Sequence, residues 1–416
     1  MPRPGEASSR NPCAAAARRT ISSRRAGTET EVSQSDGELP EGLFPALEGL
    51  CYLNAAGEGP LPRRAAQALA RATREKERPE SLGRAQYFDL PAALRERIAR
   101  LIGASTEEIA LTGSTSTGIG IAARELPLPP GGEVLLLEGQ FPANVLPWSA
   151  AKRRGAVVKS GPLRQGESPL QAVRNAAGPR TAVVAIDWVG FASGVKAEIE
   201  EIADLCRRLG AIFVLDGAQG VGALSIDVKA AGIDVLACPG HKWLLGPPGT
   251  GFLYVSKRWL DVIHPYNAGW MNLAEKQGFR NLLSIPKEPP ADATRLEAGT
   301  PSYVLFSAWL ESLDLLLSLG AARIERRLMA LAETAREAAS RAGLEVISPA
   351  GPPLRSQIVV ATAGRRTPAV FRSLSASGVV TALREGAIRI SPHIYNRESD
   401  LARLETAARQ ALKEES

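Results

Sequence analysis

The stretch that most constrains this chain runs from Thr181 to Asp216. Thr181-Ala-Val-Val-Ala-Ile-Asp187 is apolar almost throughout, as a strand covered on both faces must be. Glu198 to Leu209 repeats its apolar residues at helical spacing and is stopped by Gly210. Ala211-Ile-Phe-Val-Leu215 then reads as a second buried strand, ending on Asp216. Strand, helix and strand at this spacing form a βαβ unit. That unit commits the chain to a largely parallel sheet flanked by helices. In such sheets ligands sit beyond the carboxyl ends of the strands, where Asp187 and Asp216 both fall. Taken singly, either aspartate also reads as a helix or turn cap.

The pattern extends in both directions. Strands are predicted at 109–112, 133–137, 233–237 and 252–255, and helices at 63–76, 90–102 and from Gly113 through Leu126. A helix over 303–319 is predicted to link this α/β part, residues 39–302, to a small α+β domain, residues 303–416. The smaller part holds helices at 321–341, 368–376 and 398–413, with strands near 344–347, 357–361, 379–383 and 387–390. Residues 1–38 are rich in Arg, Ser, Ala, Gly and Pro and are expected to be disordered. A floppy extension is the plainer reading of that segment, and an organelle transit peptide is the other.

Composition removes several classes. The net charge of +6 is spread along the chain, with no basic block interleaved with aromatics, so nucleic-acid binding is not expected. No apolar run reaches membrane-spanning length. The four cysteines, Cys13, Cys51, Cys206 and Cys238, lack CxxC spacing, and the three histidines form no ligand cluster. Neither a disulfide framework nor a metal site is expected, and a cytoplasmic setting fits best.

Four places carry chemistry-bearing residues. Gly113-Ser-Thr-Ser-Thr-Gly118 opens a helix with small hydroxylic residues, which are either simple caps or an anion site. Asp216-Gly-Ala-Gln219 brings a carboxylate and an amide near one point. Cys238-Pro-Gly-His-Lys242 puts Lys242 beside His241 between glycine turns, either as a surface charge or as an amine held for covalent work on a carbonyl. Arg389 lies in the apolar run Ile388-Arg-Ile390 and calls for an anionic partner, either a structural ion pair or a substrate carboxylate. Gly246-Pro-Pro-Gly-Thr-Gly251 opens like a phosphate-binding P-loop. It continues with Phe252 and Leu253 where Lys and Ser/Thr are required, and it precedes a strand, so ATP binding is rejected.

As an ordered set these motifs, with Glu297-Ala-Gly-Thr300 and Tyr395-Asn396, resemble the class V aminotransferase family of pyridoxal-phosphate (PLP) enzymes. The family includes cysteine desulfurases and isopenicillin-N-epimerase-like proteins. The resemblance spans roughly residues 50 to 413. It implies the type I fold: a large domain with a mainly parallel seven-stranded sheet, plus a small C-terminal α+β domain. It further implies that Lys242 bonds the cofactor as a Schiff base and that Asp216 pairs with its ring nitrogen. Gln219 would contact the ring oxygen, and Phe141 would stack on the ring. Ser114 and Thr115, assisted by His241, would hold the phosphate. Thr300 would reach the neighbouring subunit's phosphate, making a homodimer. Arg389 would clamp the substrate α-carboxylate. Arg384 would take either a second acidic group or a structural ion pair.

Three departures narrow the chemistry. Trp188 stands where desulfurase-like relatives carry Asn, and Pro239 where a phosphate-binding Ser is common. Arg384 and Arg389 are five residues apart, with no intervening cysteine loop. Persulfide chemistry is therefore not expected. The expected activity is transamination of a small amino acid, or a related lyase step. Epimerisation is the alternative, and a desulfurase or selenocysteine lyase comes after it. A non-catalytic relative would be expected to lose Lys242 or Asp216, and both are present.

Overall fold

The computed structural model describes residues 42–164, 166–263, 269–270, 283, 289–297 and 299–414. The expectation for residues 1–38 lies outside them. The described chain is built on a seven-stranded sheet. Its strands are β2 (Ile109–Thr112), β3 (Glu133–Leu137), β4 (Val157–Gly161), β5 (Thr181–Asp187), β6 (Ile212–Asp216), β7 (Val235–Pro239) and β8 (Gly251–Val255); β1 (Cys51–Tyr52) lies elsewhere. The spatial order is β2-β8-β7-β6-β5-β3-β4. The β4-β3-β5-β6-β7 run is parallel, while β8 is antiparallel to β7 and to β2. Every residue of β2, β3, β6, β7 and β8 is buried, because helices cover both faces. The helix Ile199–Leu209 ends at Gly210, whose φ of 69° is the left-handed conformation glycine adopts freely.

A second, four-stranded sheet is formed by β9 (Glu345–Val346), β10 (Val359–Thr362), β12 (Ala382–Arg384) and β13 (Ala387–Ile390), in the order β12-β13-β10-β9 and antiparallel throughout. The helices Ala321–Ala342 and Thr367–Ala376 pack against it, and Glu398–Glu414 packs against those two helices. The α/β type I architecture therefore stands, with a mainly parallel seven-stranded sheet and a smaller α+β part. A two-residue parallel ladder pairs β1 with β11 (Val379–Val380), and Asn54 bridges Ser391. The Asn54–Gly59 segment is thereby pinned against the C-terminal sheet. No single helix among the described residues is long and apolar enough to cross a membrane.

Three differences from the sequence expectations concern the sheets around the site. The strand β4 carries Lys159 and Ser160 at the sheet edge and is largely exposed, so it lacks the apolar signature that marked its neighbours. The strand expected at 233–237 is displaced to Val235–Pro239, which brings Pro239 to its end. The strand expected at 379–383 divides at Thr381 into β11 and β12, which join different sheets.

Candidate active site

The carboxyl ends of β5, β6 and β7 meet at one point. Asp187 ends β5 and is the register partner of Asp216, which ends β6; Asp216 in turn pairs with Ala237 of β7. Asp216 is 3 % exposed, and its Oδ1 accepts from the Ala218 amide at 2.8 Å. Burial, reinforced by the Asp187 charge, raises its carboxyl to about 7. Asp187 is enclosed by donors: the Phe141 amide at 2.9 Å, Asn144 Nδ2 at 3.1 Å and Gln140 Nε2 at 3.3 Å. Burial raises this carboxyl too, against the pull of those three bonds.

Lys242 stands on the turn that leaves β7. Gly240 donates to the Thr250 carbonyl at 2.8 Å, and Gly246 donates to the Gly240 carbonyl at 2.8 Å, closing the turn that leads back into β8. A Cβ on Gly246 would come within 2.4 Å of the Trp309 ring, so the glycine run serves close backbone approach. Lys242 is half-buried, and its Nζ lies 5.3 Å from the centroid of the Phe141 ring. Burial lowers its ammonium, with Asp216 opposing that effect and Arg389 adding to it. Beside it, burial and the Lys242 charge push the His241 imidazole down to about 4, so it is neutral at neutral pH.

The opposite wall comes from the Asn54–Gly59 segment and from β13. The Gly59 amide donates to the His241 carbonyl at 2.7 Å. Glu58 lies within electrostatic reach of Lys242. Arg389 is 2 % exposed; its Nη1 donates to the Phe191 carbonyl at 3.0 Å and its Nη2 to Asn54 Oδ1 at 3.5 Å, while its Nε is buried without a partner among the described residues. Burial and the neighbouring Arg384 charge bring it down to about 10. Phe191 also sets its ring edge-on to Phe141, with centroids 5.1 Å apart.

The remaining expected residues lie as follows. Ser114 caps the helix Thr115–Glu125, its Oγ accepting from the Thr117 amide at 3.1 Å. Thr115 Oγ1 is buried and has no partner among the described residues. Thr300 is exposed and borders a cavity of about 280 Å³ shared with Gly113, Thr117 and Gly249. Gln219 accepts from Trp243 Nε1 at 2.8 Å and donates to the Ala56 carbonyl at 3.0 Å, bracing the lysine turn against the opposite wall. Trp188 is buried against Gly220, where an added Cβ would lie 2.0 Å from the ring. Arg384 is half-buried, and its Nη1 donates to its neighbour's carbonyl, that of Leu383, at 2.9 Å.

Sequence reasoning did not assign Asn54, Glu58 or Phe191 to the site. Their only signal was a turn-rich composition. Asp187 was noted as a strand end, but its hold on Phe141 depends on a loop 46 residues away in sequence.

The family model described as Aminotransferase class-V matches residues 77–404. The chain belongs to the class-V aminotransferase family. An isopenicillin N epimerase of Amycolatopsis lactamdurans is 29% identical over 397 residues, covering 89% of this chain and 96% of that protein. A probable cysteine desulfurase of Aeropyrum pernix is 31% identical over 297 residues, covering 68% of this chain and 71% of its own length. Among solved structures, the complex of the cystine C-S lyase C-DES with cysteine persulfide superposes with a TM-score of 0.80 at 23% identity, covering 88% of this chain and 99% of that one. That likeness is one of fold.

A class-V aminotransferase is a PLP-dependent enzyme. The residues present fit that cofactor. An amine that must react with an aldehyde has to shed its proton, and Lys242 is placed where burial favours the neutral form. A protonated ring nitrogen needs a carboxylate, and Asp216 sits on the floor beside the lysine. A phosphate needs N–H groups and a hydroxyl, and the helix start offers both, including the orphaned Thr115 hydroxyl.

Proposed function

We propose that this enzyme acts on the α-amino group of a small amino acid, by transamination or a related lyase step. The observation that carries this reading is that Lys242 lies within electrostatic reach of both Asp216 and Arg389, a guanidinium with no acid partner among the described residues. When bound, PLP supplies an electron sink for a bond at the substrate's Cα. Lys242 would hold it covalently and, once displaced by the substrate amine, would move a proton at Nζ. Asp216 would keep a proton on the ring nitrogen. The amides of Ser114 and Thr115 and the Thr115 hydroxyl would hold the phosphate, with neutral His241 beside them. Phe141 would flank the ring, and Arg389 would orient the substrate through its carboxylate.

The cysteines argue against sulfur transfer through an enzyme persulfide. All three described cysteines are buried. Burial pushes the Cys51 and Cys206 thiols to about 12 and the Cys238 thiol well above its usual range. A reactive cysteine requires the opposite environment. Epimerisation is the second reading, favoured because the epimerase likeness spans 89% of the chain.

The same proposal includes a homodimer in which Thr300, exposed in one protomer, completes the neighbouring site. It also includes a division at residue 302 between cofactor and C-terminal domains, and a cytoplasmic setting. Sedimentation and limited proteolysis test the first two. The cofactor role of Lys242 is tested by borohydride reduction of the yellow protein followed by peptide mapping, with Lys242→Ala as control. Label on another lysine would overturn the assignment. A panel of amino acids, followed for keto acid, the cofactor's amine form, racemisation and sulfide, decides the reaction.

A further inference from the structure

The hairpin that carries Arg389 carries a second arginine on the same face. In the β12/β13 ladder Ala382 pairs with Arg389 and Arg384 with Ala387. Paired residues project from the same face, and so do alternate residues along a strand. Arg384 and Arg389 are therefore diagonal neighbours, about 7–8 Å apart in an ordinary ladder and somewhat closer at Cβ. Only the small side chains Ala382 and Ala387 share that face of the hairpin. The link is a two-residue turn with both residues left-handed, Glu385 at φ 46° and Gly386 at φ 78°. Such a turn fixes the register, and with it the separation of the two guanidinium groups.

Neither arginine has a carboxylate partner among the described residues. Elsewhere the fold supplies one: Arg95, similarly enclosed, meets Glu297 at 2.8 Å. Arg389 instead has carbonyl and amide oxygens and a bare Nε. Arg384 lines a cleft of about 600 Å³ with Gly190, Phe191 and Ser193. Three acids also border this cleft. Asp187 is committed to its three donors, and Glu138 and Glu385 are exposed. An enclosed guanidinium with no counter-charge, set beside a second like charge, is costly unless a ligand brings the anion.

We infer that the substrate carries a second anionic group, with Arg389 taking the α-carboxylate and Arg384, which borders the cleft, a distal oxyanion. The substrate class is then the acidic amino acids, and neutral ones of the same length are disfavoured. The inference rests on the role proposed above for Arg389. A planar guanidinium binds carboxylate, sulfonate or phosphate through the same paired N–H groups, so the hairpin specifies charge and distance.

The test uses ligands without an amino group, so that no reaction intervenes. Glutarate and butyrate are titrated calorimetrically into the purified holoenzyme, together with 4-phosphonobutyrate. Glutarate or the phosphonate is expected to bind at least tenfold more tightly than butyrate, and the tighter of the two names the distal group. Arg384→Gln is expected to bring both down to the level of butyrate, and Arg384→Lys to restore part of the preference. Thermal melts of both variants check the fold. Equal binding of all three ligands by the wild type overturns the inference, as does a preference that survives Arg384→Gln. Failure of the amino-acid reaction itself would appear in the substrate panel and leave these titrations readable.

Discussion

Asp187 and Asp216 face one another as register partners at the ends of two adjacent parallel strands, and the two carboxyl groups are used differently. Asp216 keeps one oxygen on a backbone amide and lies beside Lys242. Asp187 turns both oxygens to the loop that carries Phe141. One strand end therefore serves the lysine, and the next fixes the ring that flanks it. Burial raises both acids, and at Asp216 the neighbouring Asp187 charge adds to that rise.

Replacing Asp187 by Asn removes the charge that the Phe141 amide and the Asn144 and Gln140 side chains share. Losing one charge-assisted bond costs about 1.5 kcal/mol, which corresponds to roughly a tenfold loss of PLP affinity if the bond serves the cofactor site. Fluorescence titration of the apoprotein measures it. Unchanged affinity would show that the loop is held without Asp187.

The raised Asp216 carboxyl predicts a pH signature in the apoprotein. Its usual value is 3.8 and its folded value is about 7. Between these the folded chain keeps a proton that the unfolded chain has released, so the group's contribution is full below pH 3.8 and declines as pH rises to about 7. His241 and His393, both pushed down to about 4 by burial, act in the opposite sense above that value. The stability difference between wild type and Asp216→Asn isolates the aspartate. Wild-type stability relative to the variant is expected to fall as pH rises from 4 to 7, and a pH-independent difference would contradict the burial account.

Gly59 sits where an added Cβ would lie 2.1 Å from the Lys242 carbonyl oxygen. Backbone cannot give way as a flexible side chain can. Gly59→Ala is expected to cost about 1–3 kcal/mol by overpacking and to lower cofactor occupancy, because the lysine turn must shift. Melting curves and the visible absorbance of the reconstituted protein read both effects. A variant with wild-type colour and stability would show that the two walls can separate freely.

Glu385 occupies a left-handed position that a long L side chain enters at a cost of about 1–2 kcal/mol. Asn tolerates it better. Glu385→Asn is expected to raise Tm by about 1–2 °C in a chain of this size, with the Arg384–Arg389 register intact. A lower Tm would mean that the Glu385 side chain makes a stabilising contact.

The sequence by itself determined the βαβ core, because a parallel strand buried on both faces has to be apolar from end to end. It also determined the site's chemical inventory. Asp216 and Lys242 stand at strand ends, Gly113–Thr115 at a helix start, and those local positions are written in local patterns. The tertiary structure alone decided which groups meet. Asn54 reaches Arg389 across 335 residues and Asp187 reaches Phe141 across 46, and no periodicity encodes such contacts. It also supplied the ground for the role proposed for Arg384. From sequence, an ion pair and a ligand for a second acid were equal alternatives. In the fold the hairpin sets Arg384 beside Arg389 on a face whose other hairpin residues are Ala382 and Ala387, because register places side chains and composition does not.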